Sequence, residues 1–147
     1  MMDELFRMLE LTGKGFQCSQ ILLALGLEAQ GKENPDLLRA MGGLTGGVGS
    51  CGDLCGALAG GACLLALYAG KGTPEEEADH RLILMIDDLV EWFTGEYTEC
   101  YGGIHCRDII GYDRQNQATR CPGIVSGTYD KVKEILVEYG FDLSEGR

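Results

Sequence analysis

The chain has 147 residues, of which 45% are apolar, a proportion that is ordinary for globular proteins. This length is enough for one domain with its own core, so we expect residues 1–147 to form a single domain. The formal net charge of −11 repels nucleic acids and anionic lipid surfaces, which makes a nucleic-acid-binding function unfavourable.

The N-terminus and the cysteine content bear on the cellular compartment. The chain opens without the basic region and apolar stretch of a signal peptide, so we expect a cytoplasmic protein. Structural disulfides are uncommon in that reducing compartment, where clustered cysteines more often bind metal or carry out redox chemistry. The chain has seven cysteines, an odd number, so at least one thiol stays outside any intramolecular disulfide.

Three helices are predicted in the first part of the chain. The first has an amphipathic pattern with Leu5, Met8 and Leu9 on one apolar face. The third begins with Asn34 as N-cap and Pro35 at the first helical position, a strong start signal. The predicted ranges are residues 2–12, residues 16–30 and residues 35–41.

A glycine-rich segment follows, with 11 glycines in residues 42–72. Its first part, residues 42–52, predicts a loop that uses positive φ or approaches another group closely. Residues 54–69 form an uncharged run of small and apolar residues, which predicts a buried central helix. Gly56 and Gly60 are spaced as a GxxxG pair, which lets two helices pack closely.

A membrane span is the alternative interpretation of this apolar run. From Leu54 to Gly70 it has only 17 residues, whereas a span needs about 20. It also contains three internal glycines, and acidic rather than basic residues flank it. We therefore expect no membrane insertion.

The C-terminal half predicts three more helices. Thr73 and Glu76 are spaced as a capping box, and Gly95 is the expected stop of that helix. Cys121 and Pro122 are expected to open the last helix. The predicted ranges are residues 73–94, residues 105–110 and residues 121–139. The fold class is therefore predicted as all-α, a compact helical bundle around a buried Gly/Ala-rich central helix, with a Gly-rich loop.

Residues 47–52 match the pattern G-x-G-x-x-G, which is found in dinucleotide-binding sites. That fingerprint has meaning only after a β-strand and inside a βαβ unit. Here a predicted helix, residues 35–41, comes before the match, and no βαβ alternation is present. We interpret the match as coincidental.

Four cysteines fall at predicted helix starts, where free N–H groups and the helix dipole lower a thiol's pKa. Thiolates in such positions suit iron–sulfur or zinc ligation, or a redox-active pair. Their separations match no local metal-binding ribbon, so the site would have to be assembled by the fold. The four are Cys18, Cys55, Cys106 and Cys121.

The remaining cysteines and the histidine beside Cys106 have weaker patterns. Cys63 lies among apolar residues and is best interpreted as a small hydrophobe. Cys51 precedes Cys55 by one helical turn, so it is a candidate substitute ligand or resolving thiol, and the role of Cys100 stays open. For His105 a packing or surface role is favoured over ligation or proton transfer.

These residues resemble the C_GCAxxG_C_C family, small bacterial and archaeal proteins described as redox-active. The resemblance covers nearly the whole chain, and its most specific part is the Gly-rich run joined to Cys-Gly-Ala-x-x-Gly at residues 55–60. It places the four family cysteines on Cys18, Cys55, Cys106 and Cys121. A related domain in split-Soret cytochromes is thought to hold a non-haem iron or iron–sulfur pocket. Such a pocket is the only feature of those cytochromes that the resemblance implies for this chain.

The leading hypothesis is a small redox protein in which the four family cysteines bind an iron–sulfur cluster, for example [2Fe–2S], for electron transfer or redox sensing. Backbone N–H groups of the glycine loop would approach the cofactor; the candidate positions are Gly47, Gly49, Gly52 and Gly56. The alternatives are a metal-free thiol–disulfide module pairing Cys18 with Cys55 and Cys106 with Cys121, a structural zinc site, and a helical interaction module with inert cysteines. A redox partner protein is expected without being identified, and a homodimer is an open alternative.

Overall fold

The computed structural model describes residues 2–147, with only the backbone of Met2. This part of the chain contains seven right-handed α-helices and no β-strand, which confirms the predicted all-α fold. Two 3₁₀ turns, Gly42–Leu44 and Arg114–Asn116, lie between helices. The helices are α1 (Met2–Gly13), α2 (Cys18–Ala29), α3 (Pro35–Met41), α4 (Gly56–Ala69), α5 (Arg81–Tyr101), α6 (Cys106–Ile110) and α7 (Gln117–Glu138).

Helix α4 packs against α2, α5 and α7. Its small residues let neighbouring elements come close. A Cβ added at Gly60 would lie 2.8 Å from the Cα of Ser19, and one added at Gly61 would lie 3.0 Å from side-chain carbons of Leu89 and Thr128. Larger residues at these two positions would push α2, α5 and α7 away from α4. No helix in residues 2–147 is both long enough and apolar enough to cross a membrane.

Helix α1 follows its predicted range but not its predicted buried face. Met8 is buried in the core, whereas Leu5 and Leu9 are exposed. The physical reason is that α1 packs against α2 through a narrow face that runs through Met8 and Leu11, which turns Leu5 and Leu9 away from the core. An exposed ion pair joins Arg7 to Glu28 on α2.

Helix α3 begins as predicted, since the Asn34 side chain accepts a hydrogen bond from the Leu37 N–H at 3.1 Å. The prediction for α5 is wrong at both ends. The Glu76 carboxylate accepts hydrogen bonds from the N–H groups of Gly72 and Thr73 and closes only a turn. The helix begins at Arg81, whose N–H donates to the Asp79 carboxylate at 2.9 Å.

Helix α5 also continues through Gly95 to Tyr101. Beyond the glycine, aromatic contacts stabilise the helix: the rings of Phe93 and Tyr97 lie 4.6 Å apart, and Tyr97 stacks on Tyr101. A helix-interior glycine costs about 1 kcal/mol, which these aromatic pairs, one helical turn apart, can offset. The stop signal of Gly95 is therefore outweighed by side-chain contacts along the same helix.

The start of α7 is also misplaced in the sequence prediction. The Asp113 side chain accepts a hydrogen bond from the Gln115 N–H and caps a 3₁₀ turn that leads directly into α7 at Gln117. Pro122 lies inside the helix, not at its first position. It removes one main-chain donor without ending the helix. The prediction that Cys121 opens this helix as its N-cap residue is therefore wrong.

Candidate functional site

The four family cysteines occupy different positions relative to their helices. Cys18 is the first residue of α2, and Cys106 is the first residue of α6. Cys55 is the N-cap residue of α4 rather than part of its first turn. Cys121 lies inside α7. Helix-start placement thus holds for three of the four.

The charges of these four thiols act on one another, so the fold brings them into one region. A thiolate at Cys18 raises the pKa of Cys55 and of Cys121. A thiolate at Cys106 raises the pKa of Cys18 and of Cys121. Coulombic effects of this kind reach over several ångströms, so the four thiols share one region of the fold, although no two of them are at disulfide distance. We refer to Cys18, Cys55, Cys106 and Cys121 as the thiol cluster.

Burial dominates the ionisation of the thiol cluster. It raises the pKa of Cys55 to about 12 and that of Cys121 to about 11, and it raises those of Cys18 and Cys106 as well. The expectation that helix starts lower these pKa values is therefore wrong in its net direction. The expected N–H donors do act in the lowering direction, but desolvation of the thiolate is the larger effect.

Backbone N–H groups act on two of the thiols and lower their pKa values, against the larger effect of burial. For Cys55 these are the N–H groups of Ala57 and Leu58 in the first turn of α4. For Cys18 they are those of Ser19 and of Gly46 in the glycine loop, which comprises residues 42–52. Gly46 thus brings a donor from a distant segment to a thiol, as the glycine-rich sequence had suggested in general terms without identifying this residue.

The glycine loop contains a left-handed turn. Five consecutive residues, numbers 46–50, have φ between 62° and 73°, and the Gly49 N–H bonds back to the Thr45 carbonyl. L-residues enter this region at a cost of about 1–2 kcal/mol each, and left-handed runs of this length are rare. Apolar periodicity gives no signal for this geometry. The sequence therefore predicts a loop at these residues but not its left-handed conformation.

The four glycines predicted to face a cofactor have different surroundings. A Cβ added at Gly56 would lie 2.5 Å from the Cys18 sulfur, and one at Gly47 would lie 2.7 Å from the Cβ of Cys106. A Cβ at Gly52 would meet the side chain of Arg107, while one at Gly49 would meet nothing within 4 Å. Gly47 and Gly56 therefore permit close approach to cysteines of the thiol cluster, whereas Gly49 serves only the turn.

An antiparallel pairing joins the segment before α4 to the segment before α6. The Cys55 N–H donates to the Ile104 carbonyl at 3.0 Å, and the Cys106 N–H donates to the Asp53 carbonyl at 2.7 Å. A single β-bridge between Leu54 and His105 lies between these two bonds. This pairing fixes the backbones of Cys55 and Cys106 relative to each other, and nothing in the spacing of the sequence indicates it.

His105 lies beside carboxylates rather than in the thiol cluster. Its ring nitrogens are 3.8 Å from a carboxylate oxygen of Asp53 and 3.6 Å from one of Asp108. Cys51 and Cys100 are exposed, and Cys63 is half-buried. Two further residues interact electrostatically with the thiol cluster, and nothing in the sequence indicates either of them. A Cys55 thiolate raises the pKa of Tyr97, and the charge of Arg114 acts to lower the pKa of Cys106.

The thiol cluster is not arranged as a preformed site for a single ion. Within residues 2–147, no group of three or more His, Cys, Asp or Glu side chains lies close enough together to hold a metal ion. No two cysteines there are at disulfide distance, and all seven are free. In number and chemistry the four thiols fit an iron–sulfur cluster, whose ligands bind different iron atoms, but the sulfurs would have to move inward.

Comparison with known proteins assigns the family. The family model described as "Putative redox-active protein (C_GCAxxG_C_C)" matches residues 16–135, which include the whole thiol cluster and the glycine loop. Neither the comparison with curated proteins nor that with solved structures found a match. Since the family match covers most of the 147 residues, the chain belongs to the C_GCAxxG_C_C family.

Proposed function

We propose that Cys18, Cys55, Cys106 and Cys121 bind an iron–sulfur cluster and that the protein transfers electrons or senses redox state. The observation that carries this proposal is that distant segments bring the cysteines together: the antiparallel pairing holds Cys55 beside Cys106, and the Cys18 sulfur lies 2.5 Å from where a Cβ on Gly56 would be. Cys121 is within electrostatic range of Cys18 and Cys106. Four thiolates placed together without a cation would repel one another, so the group favours a positively charged occupant.

The backbone around the thiol cluster supports the same assignment. N–H groups of Gly46, Ala57 and Leu58 act to lower the pKa values of Cys18 and Cys55. N–H groups near ligand sulfurs stabilise the negative charge of the sulfurs and help set the reduction potential of an iron–sulfur cluster. When bound, the cluster would supply a one-electron donor and acceptor, while the protein's own residues orient the thiolates and limit their contact with water.

A metal-free thiol–disulfide module has less support. Thiol–disulfide exchange needs a thiolate, and burial holds Cys55 and Cys121 in the neutral form at neutral pH, because their pKa values are about 12 and about 11. No cysteine pair in the described part of the chain is at disulfide distance. A metal would remove the first difficulty, since a coordinating thiol loses its proton.

We further propose a cytoplasmic location and a protein redox partner. A reducing compartment keeps thiols unpaired, in agreement with seven free cysteines. The net charge of −11 favours a basic partner surface, and the association rate should then fall steeply as salt is added. A homodimer stays an alternative that sedimentation would decide.

The deciding experiment is purification without oxygen, followed by a visible spectrum and assays for iron, sulfide and zinc. Absorption between roughly 320 and 600 nm together with iron and sulfide is the expected result, since iron–thiolate charge transfer is coloured. A colourless protein with stoichiometric zinc would refute the redox role. Metal-free protein that loses four thiols on mild oxidation would instead favour the disulfide module.

Two matched substitutions on the α4 segment identify the ligands. Cys55→Ser replaces the buried N-cap thiol and should abolish iron binding. Cys63→Ser, in the same helix, replaces a half-buried thiol whose pKa is raised by burial, with no influence from another cysteine. This variant should keep its iron content. Equal iron loss in both variants would mean that folding, rather than ligation, had been disturbed.

A further inference from the structure

A cavity lies beside the thiol cluster and is lined in part by the glycine loop. Its volume is about 210 Å³, and it lies between the glycine loop and the segment from Cys106 to Arg114. Cys106 is the only member of the thiol cluster among the described residues that line it, and the exposed Cys51 lines it as well. The cavity is therefore a separate space that shares one wall with the proposed metal site.

The charge of this cavity contrasts with that of the whole protein. Arg107 and Arg114 line it, and no acidic residue does, although the chain has 23 acidic residues and 12 basic ones. Neither arginine forms an ion pair within residues 2–147. Arg7, Arg39 and Arg81 each pair with a carboxylate, whereas Arg120 and Arg147 donate to carbonyl groups elsewhere. Arg107 and Arg114 are both exposed, and together they make one cavity of an acidic protein locally positive, which suits an anionic partner.

Nearby acidic side chains are engaged elsewhere. The Asp113 carboxylate accepts a hydrogen bond from the Gln115 N–H, and the Asp53 carboxylate accepts one from the Leu54 N–H. Asp108 lies beside His105. None of these carboxylates forms an ion pair with either guanidinium group.

Both guanidinium groups are held in place by the glycine loop. Arg114 donates from Nη2 to the Ser50 carbonyl at 3.1 Å, and Arg107 donates from Nη1 to the Gly52 carbonyl at 3.4 Å. A guanidinium has five N–H donors, so most of the donors of each arginine stay available. A bound anion would thus meet positive groups that are already positioned, which reduces the entropy lost on binding.

Backbone strain is concentrated at the same cavity. Within residues 2–147, three residues other than glycine have positive φ: Val48, Ser50 and Tyr112. Ser50 and Tyr112 line the cavity, and Val48 belongs to the same left-handed turn. Such conformations cost about 1–3 kcal/mol each and are concentrated at ligand sites. Core packing does not explain the strain at Tyr112, because its side chain is 79% exposed.

We propose that this cavity binds a small oxyanion between Arg107 and Arg114, next to Cys106. The planar fork of a guanidinium matches two oxygens of a phosphoryl, sulfuryl or carboxylate group. The volume is below the 300–1,000 Å³ or so of pockets for larger ligands, so the ligand is a single small anion or one anionic group. The site does not depend on metal binding by the thiol cluster, since neither arginine is a candidate ligand for the metal.

The test follows the alkylation of Cys51 by iodoacetamide, read by mass spectrometry, with Cys100 as an internal control. Both thiols are exposed, but only Cys51 lines the cavity. The probes are inorganic phosphate, sulfate and malonate at constant ionic strength. The expected result is slower labelling of Cys51 with unchanged labelling of Cys100, and a saturation curve that gives Kd. Protection by phosphate or sulfate indicates a tetrahedral oxyanion, and protection by malonate alone indicates a carboxylate.

Substitutions separate a specific site from general charge attraction. R107Q and R114Q should each raise Kd roughly tenfold or more, the expected effect of losing a charge-assisted hydrogen bond. R114K keeps the charge without the planar fork, so it should bind more weakly than the wild type and more tightly than R114Q. The matched control is R39Q, which removes an exposed arginine of α3 that is paired with Asp36.

Two results would overturn the proposal. One is that none of the three anions protects Cys51, and the other is that R39Q raises Kd as much as R107Q does. The helical circular dichroism of each variant is measured first, and R114K provides the reading if a glutamine variant does not fold. The iron and sulfide assays test the proposed function separately, so either proposal can fail without the other.

Discussion

The core around α4 and the glycine loop are held together by different interactions. In the core, right-handed helices bury apolar side chains, and Leu65, Met85, Leu89 and Phe93 have no exposed surface. In the glycine loop, the backbone turns left-handed, and its Gly52 carbonyl accepts a hydrogen bond from the Arg107 N–H of α6. The core therefore depends on side-chain volume, whereas the site depends on backbone conformation at a few positions.

The largest expected effect comes from a core substitution. Leu65→Ala removes a fully buried side chain from α4 and should lower the free energy of unfolding by about 2–5 kcal/mol, through lost burial and a new cavity. Chemical denaturation monitored by far-UV circular dichroism measures it. The change should lower the denaturant midpoint while leaving the order of thiol reactivity in the folded protein as it was. A selective rise in the reactivity of Cys106 alone would contradict this separation of core and site.

A glycine pair tests the loop in the same way. Gly47→Ala introduces a Cβ 2.5 Å from the Asp53 backbone at a position with φ of 71°. The left-handed conformation alone costs about 1–2 kcal/mol, and the clash adds to it. We expect the loop to open, so that iodoacetamide labels the buried Cys106 faster, while the helical circular dichroism is retained.

Gly49→Ala is the matched control for the loop. Its φ is 62°, close to that of Gly47, but an added Cβ would meet nothing within 4 Å. This variant should lose about 1–2 kcal/mol of local stability and keep Cys106 protected. If both alanine variants exposed Cys106 equally, close approach at Gly47 would not be what positions the thiol.

The same contrast explains how much of the structure the sequence could predict. Apolar periodicity and caps predicted α1, α2, α3 and α6 within a few residues, because those signals act locally. The late start of α5 and the early start of α7 were missed, since Asp79 and Asp113 make caps that outweigh the Thr73 and Pro122 signals.

For the candidate site, the sequence selects residues but does not give their geometry. The resemblance selects Cys18, Cys55, Cys106 and Cys121; the fold places them within electrostatic range of one another, and their role as ligands stays a prediction. The direction of their pKa shifts was mispredicted, because a helix-start argument cannot weigh burial, which depends on distant segments. The left-handed turn and the pairing of Leu54 with His105 likewise result from contacts between segments far apart in sequence.

Alkaline pH should destabilise the reduced, metal-free protein through its buried thiols. The folded protein holds the Cys55 proton up to a pKa of about 12, compared with an ordinary value of 9. Between these pH values the unfolded state releases the proton and the folded state keeps it, so stability present below pH 9 is lost as pH rises. For Cys55 alone the loss is about 1 kcal/mol between pH 9 and pH 10.

Urea unfolding at several pH values, in the presence of reductant and chelator, measures this dependence. Cys55→Ala removes the titrating group, so its stability should fall less steeply above pH 9 than that of the wild type. Cys121 contributes in the same direction, and a double variant with Cys121→Ala should flatten the curve further. Identical slopes for wild type and Cys55→Ala would show that this thiol is not desolvated as described.

The smallest expected effect concerns the exposed side of α1, where an apolar pattern does not correspond to burial. Leu9→Ser changes a side chain that is 57% exposed and should alter the free energy of unfolding by no more than about 0.5 kcal/mol. Leu11→Ala, in the same helix, removes a side chain that is 3% exposed and should cost about 2–5 kcal/mol. Urea denaturation of both variants at low protein concentration measures the difference. A large loss at Leu9 that shrinks with dilution would mean that a second copy of the chain covers this side of α1, because association stabilises the folded wild type only at concentrations where the dimer forms.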